Sequence, residues 1–183
     1  MNWNLRLPAL LPSRRWYLVA AALAITAPLA VLWPRAALAL ALLDIAWLLA
    51  LVIDIYRSFG FGFDEVGVIR EAPPAFSVGR TLPAFYRWTQ PLPHPLALLV
   101  REIMPAPIAP LSTLTRAITI PTGTALVGRV DVTPAHRGKG NGGLLTVRAL
   151  GPLGLVWRQG TINLPWSVTV YPNLVGASLR ALP

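Results

Sequence analysis

Residues 16–53 read WYLVAAALAITAPLAVLW, then PR, then AALALALLDIAWLLALVI: two apolar runs parted only by Pro34 and Arg35. Trp16–Trp33 and Ala36–Ile53 hold about 18 residues each, which as helix is about 27 Å, close to the ~30 Å of a bilayer's hydrocarbon core. A water-facing helix of that length would carry a polar face, and neither run has one. The pattern predicts two membrane-spanning helices, 16–33 and 36–55, joined at a Pro34–Arg35 turn into a hairpin anchor over residues 16–56. Residues 1–15 form a basic N-terminus on this reading.

Composition agrees. Of 183 residues, 55% are hydrophobic, and the mean hydropathy of +0.57 lies above that of an ordinary soluble domain. The chain beyond Arg57 is long enough for one domain with its own core. There is no cysteine, which excludes disulfides and thiolate metal sites.

The net charge of +9 does not point to nucleic acid. Arg70, Arg80, Arg87, Arg101 and Arg116 stand singly, with no Lys/Arg run and no basic helix interleaved with aromatics. Beside a membrane such charge faces anionic lipid headgroups, at roughly 1 kcal/mol per residue near the surface. Arg6, Arg14 and Arg15 precede the first span and Arg57 and Arg70 follow the second, whereas the turn carries only Arg35. Positive flanks stay cytoplasmic, so both termini and the domain after the anchor are expected on the cytoplasmic face of a bacterial inner membrane. Trp16, Tyr17, Trp33 and Tyr56 fall at the interfaces, where aromatic rings gather. The rival reading is export: Ser13–Leu18 loosely resembles a twin-arginine signal and Ala37-Leu38-Ala39 a cleavage site, but the apolar stretch exceeds the usual signal core and a second one follows.

Asp44 lies near the middle of the second run. A carboxyl there costs roughly 2.5–3.5 kcal/mol and calls for a partner or a cavity. Asp44 and Thr26 are therefore the candidate helix–helix contact, within the hairpin or with a second copy of it. Ion or proton conduction through Asp44 is the alternative, but two helices cannot enclose a pathway.

After Ser58 the texture changes. Residues 57–64 form a Gly/Phe linker. Short runs bounded by Pro and Gly then predict strands near 65–71, 81–89, 95–103, 113–120, 124–133, 143–149, 154–158 and 166–171. The fold class expected is a membrane α-helical hairpin followed by an all-β domain, an immunoglobulin-like β-sandwich over 65–175, with a tail over 176–183.

Catalytic patterns are sparse. His94 and His136 are the only histidines, and the acids after the anchor are Asp64, Glu65, Glu71, Glu102 and Asp131. No nucleophile elbow or phosphate loop occurs, so neither catalysis nor a cofactor is expected. Arg137-Gly-Lys-Gly-Asn-Gly-Gly143 has the composition of a phosphate cradle, but a cradle works at a helix N-terminus. Between strands this segment reads as a hairpin turn.

The stretches His136-Arg137-Gly138, Leu150-Gly-Pro-Leu-Gly-Leu155 with Trp157-Arg158, and Val170-Tyr171-Pro172 together resemble one family, the bacterial "domain of unknown function 58" membrane proteins. The resemblance implies a two-helix anchor, then a β-sandwich with an Arg-Gly turn, a Pro-Leu-Gly-Leu strand start and a Val-Tyr-Pro exit. It makes Arg137, Gly138, Pro152, Leu153, Gly154, Leu155, Tyr171 and Pro172 the motif or interaction candidates. Two departures stand out: Gly151 replaces an Asp common before Pro-Leu-Gly-Leu, and the family's von Willebrand factor A-like module would follow Pro172, whereas this sequence ends 11 residues later. The sequence is thus expected to be a truncated, split or divergent member, and no metal-adhesion site carries over. The resemblance also implies partners, a MoxR-type AAA+ ATPase and other membrane proteins. The functional expectation is a non-catalytic inner-membrane scaffold, with an exported envelope domain or an ion-conducting subunit as alternatives.

Overall fold

The computed structural model describes residues 10–28, 31, 33–108 and 115–172. The expected tail over 176–183, the N-terminal residues 1–9 and the start of the strand expected from 113 lie outside them. The chain divides into two compact units, Met1–Gly62 with Arg148–Gly160, and Phe63–Val147 with Thr161–Pro183.

In the first unit, strand β1 (Leu10–Pro12) pairs antiparallel with Val156–Arg158, the start of β9 (Val156–Tyr171). Helix α1 runs over Arg14–Thr26, capped by Ser13, whose hydroxyl oxygen accepts from the Trp16 N–H. Helix α2 covers Pro34–Ser58. The expected hairpin of two spanning helices is not what forms among the described residues. Helix α1 has 13 residues, about 20 Å at 1.5 Å per residue, short of a hydrocarbon core. One described helix, over Arg35–Ser58, is long and apolar enough to cross a membrane. The Pro34–Arg35 turn is likewise corrected: Trp33 is the extended N-cap and Pro34 opens the first turn of α2, the helix position where a missing N–H costs nothing. Trp16 of α1 packs on Trp47 of α2, ring centroids 5.6 Å apart.

The 57–64 linker is packed. Ser58 ends α2, and Phe61 is buried. The Arg158 guanidinium lies 4.4 Å from the Phe61 ring centroid and 5.6 Å from that of Phe59. A cation over an aromatic face is attracted by the ring quadrupole, and this arginine is only 4% exposed.

Among its described residues, the regular structure of the second unit is β apart from single turns of 3₁₀ helix at Phe63–Glu65 and Ala106–Ile108. Its strands are β2 (Gly67–Glu71), β3 (Ala75–Ser77), β4 (Leu82–Thr89), β5 (Leu96–Ile103), β6 (Thr115–Ile120), β7 (Leu126–Val132) and the parts of β8 (Gly138–Leu150) and β9 within 138–147 and 161–171. One sheet has the order β2-β4-β7; the other runs β9-β8-β5-β6, with β3 parallel on the end of β9. Strict alternation fills the core. Ala84, Tyr86 and Trp88 of β4 are buried, as are Leu96, Leu98 and Val100 of β5 and Trp166, Val168 and Val170 of β9.

Strands β1 and β3 add to the expected map, and two of its other features change. Residues 138–143 of the expected Arg137–Gly143 turn are strand, because their glycines admit backbone that a side chain would exclude. A Cβ at Gly140 would lie 2.5 Å from Pro107 Cδ, and one at Gly142 2.6 Å from Pro105 N. The runs 154–158 and 166–171 merge into β9. Pro165 is tolerated there because the side of β9 away from β8 is paired only at 156–158 and 169–171 among the described residues.

Gly143 is the most constrained of these positions. Its φ is +103° and a Cβ would overlap the Leu164 carbonyl. Gly79, at φ +75°, has nothing within 4 Å of such a Cβ. Gly143→Ala is expected to cost more than about 3 kcal/mol, since backbone must move, and Gly79→Ala about 1–2 kcal/mol for the left-handed backbone alone. Urea midpoints of the two variants check the difference.

Candidate functional site

The motif Gly151-Pro-Leu-Gly-Leu-Val156 is a tight turn. Gly154 N donates to Gly151 O and Gly151 N to Val156 O, both at 2.8 Å, and Gly154 takes φ +75°. A turn this tight aims several N–H groups inward, and here they converge on one carboxylate. Asp54 Oδ1 accepts from Leu153 N at 2.6 Å; Oδ2 accepts from Leu155 N at 2.8 Å and Val156 N at 3.0 Å. Asp54 comes from the last turn of α2 and is fully buried, 0% exposed.

The other contacts tighten the joint. Ser58 Oγ donates to Asp54 O at 2.6 Å. Ser13, the cap of α1, donates from its hydroxyl to Gly154 O at 2.6 Å and from its N–H to Leu155 O at 2.9 Å. Two positions must stay small. A Cβ at Gly151 would lie 2.5 Å from Asp54 Oδ2, and one at Gly154 3.0 Å from Arg15 Nη1. A buried carboxylate with both oxygens accepting backbone N–H groups is a charge-assisted clamp. Its two oxygens hold the turn.

The candidates from sequence divide around this joint. Gly154 and Leu155 are buried in it, and Pro152 and Leu153 are exposed at its tip. Arg137 is exposed and Gly138 opens β8. Tyr171 and Pro172 are exposed at the end of β9, where Tyr171 O accepts from Val78 N. Asp44 is exposed on α2, and the Thr26 hydroxyl lies 3.0 Å from Ala22 O and Leu23 O of its own helix. The central residue, Asp54, escapes a reading of the sequence, where it looks like the polar end of an apolar run. Gly151 was the available signal. Its lack of a side chain leaves the space that the Asp54 carboxylate fills.

The second unit holds its own polar cluster. Arg70 of β2 pairs with Glu102 of β5, their side chains 5% and 7% exposed. Arg70 Nη1 donates to Leu164 O at 3.1 Å, and its guanidinium carbon lies 4.4 Å from the Trp166 ring centroid. The Tyr86 hydroxyl donates to Glu102 Oε2 at 2.6 Å and accepts from Arg70 Nε at 3.2 Å. Burial raises the Glu102 pKa above the ordinary carboxylate value, outweighing the opposite pull of Tyr86 and Arg70. Burial and the Glu102 carboxylate likewise push the Tyr86 hydroxyl well above its usual range.

Because the folded Glu102 holds its proton more tightly than the unfolded one, its contribution to stability is whole below pH 4.5 and is lost as pH rises through the raised folded value. Glu102→Gln removes this titration. The stability of wild type relative to Glu102→Gln should therefore fall as pH rises above 4.5, as read from urea midpoints at successive pH values.

Among the described residues, no three His, Asp or Glu side chains gather as a metal site would require, and His94 and His136 are both exposed. No protein-family profile matches the sequence, and no curated protein is significantly similar to it.

Proposed function

We propose that this chain is a non-catalytic, membrane-anchored β scaffold that holds partner proteins at the surface of a bacterial inner membrane. The carrying observation is the Asp54 clamp, which spends a fully buried carboxylate on fastening a β turn to the end of the one long apolar helix among the described residues. A helix end fastened this firmly to its own β turn suits fixed positioning.

The clamp and the Ser13 contacts bring Arg14, Arg15 and Arg57 to one end of α2 and leave Arg35 at the other. That asymmetry favours the arginine-rich end, the termini and the β domain facing the cytoplasm. Strand orders 2-4-7 and 9-8-5-6 support an immunoglobulin-like sandwich, as they correspond to A-B-E and G-F-C-C′.

The partners proposed are a MoxR-type AAA+ ATPase or other membrane proteins. The tagged full chain, purified from detergent-solubilised membranes of its own host, should bring such a protein down in a fixed ratio; recovery of the chain alone at mild detergent concentration refutes the scaffold reading.

A second copy is a further partner, because Asp44 is exposed near the middle of α2 and an intramembrane carboxyl facing lipid costs roughly 2.5–3.5 kcal/mol. Energy transfer between labelled copies in bicelles should be preserved in Asp44→Asn, which still hydrogen-bonds, and lost in Asp44→Leu. Equal signals in both variants would show that Asp44 does not join copies.

A further inference from the structure

Strands β6 and β7 are the terminal strands of the two sheets, so the layered core ends between them. On β7 the inward-facing positions are Leu126, Gly128, Val130 and Val132. Gly128 stands opposite Tyr86 of β4, and a Cβ built on it meets nothing within 4 Å. An inward position in a packed layer ordinarily carries a side chain. The glycine instead opens a cavity of about 60 Å³ whose walls include Tyr86, Trp88, Val100, Ile118 and Val130.

Size and chemistry narrow what fits. One water needs roughly 10–15 Å³ and benzene occupies an engineered cavity of about 150 Å³, so this space suits a branched aliphatic side chain better than a ring. The walls are mostly apolar, and the Glu102 carboxylate that reaches them is already taken by Arg70 and Tyr86. The cation lining the opening is Arg116, exposed on β6. Its Nη1 donates to Arg129 O at 2.9 Å, one of the five donors a guanidinium carries. An arginine fork beside an aliphatic slot complements a carboxylate one residue's reach from an aliphatic group. The outer edge of β6 has no strand partner among the described residues, so an extended segment could also add backbone hydrogen bonds there.

We propose that this pocket binds the C-terminal residue of a partner polypeptide, a Leu or Val whose side chain fills the Gly128 gap and whose carboxylate pairs with Arg116. The proposal rests on the scaffold reading and names the chemistry of the partner.

The test uses the full chain in detergent micelles, titrated with N-acetyl-L-leucine and with its uncharged amide while amide resonances of β6 and β7 are followed. A ligand this small should saturate in roughly the millimolar range, with the amide about tenfold weaker for want of the charged hydrogen bond. Gly128→Val should abolish saturable binding with an unchanged or raised Tm, because it fills open space. Arg116→Gln should bring N-acetyl-leucine down to the affinity of the amide. Equal binding of acid and amide, unaltered affinity in Gly128→Val, or no saturable shift in wild type overturns the pocket. A scaffold that still co-purifies its partner after such a result loses only this site.

Discussion

Asp54→Ala should be among the most damaging single substitutions in this protein, costing about 3–6 kcal/mol and loosening the 151–156 turn. Three backbone N–H groups, those of Leu153, Leu155 and Val156, point at its carboxylate. Alanine leaves all three without an acceptor, two of these bonds being buried. An orphaned buried donor costs about 1–3 kcal/mol, and hydrogen bonds to a charged acceptor lie at the upper end. Asp54→Asn should fall between wild type and alanine, since one amide oxygen can serve at most part of the set while the NH₂ group meets donors. Amide hydrogen exchange in detergent reads the effect directly: protection of Leu153, Leu155 and Val156 should collapse in Asp54→Ala, with core amides such as Val147 and Val168 changed far less. Undiminished protection at those three amides would show that water or another group replaces the carboxylate. A separate substitution, Gly151→Ala, pushes a methyl group against the same oxygens and should reproduce the loss while leaving the carboxylate in place.

The apolar character of residues 16–53 was legible in the sequence because hydrophobicity over 18 or more residues needs no tertiary context. The division of that stretch was not. Pro34 reads equally as a turn or as the first residue of a helix, and only the extended backbone at Trp33 decides for the helix. Alternation located most strands within a few residues, since each buries one face. The glycine-rich segment misled for a physical reason: glycine serves both turns and close backbone approach, and at Gly140, Gly142 and Gly143 the approach of Pro105, Pro107 and Leu164 is what matters. Pro-Leu-Gly-Leu was visible as a motif, but its carboxylate partner sits about a hundred residues earlier in the chain, a separation that no local pattern encodes. Arg70 and Glu102, 32 residues apart, were hidden in the same way, each looking like a solvated charge on its own strand.

That second pair yields the other large effect. Arg70→Met is expected to destabilise by about 3–5 kcal/mol, because it strands a buried carboxylate, and Glu102→Leu by a similar amount, because it strands a buried guanidinium. The double variant should be far milder than their sum. With both charges gone, the remaining costs are the Tyr86 hydroxyl and the Leu164 carbonyl, which lose Glu102 and Arg70 as partners, about 1–3 kcal/mol in all. The coupling energy of the cycle should therefore exceed about 3 kcal/mol, at the top of the range for contacting residues. Urea unfolding of wild type, both single variants and the double, at one pH and detergent concentration, supplies it. Additive effects would mean that the two side chains are solvated and independent. Strong coupling with a nearly wild-type double variant would mean that the pair adds little net stability. Its role is then to fix how β2 lies against β5 and β9, since Arg70 reaches Glu102 and the Leu164 carbonyl at once and a shift of β2 by one residue would turn it outward and break both.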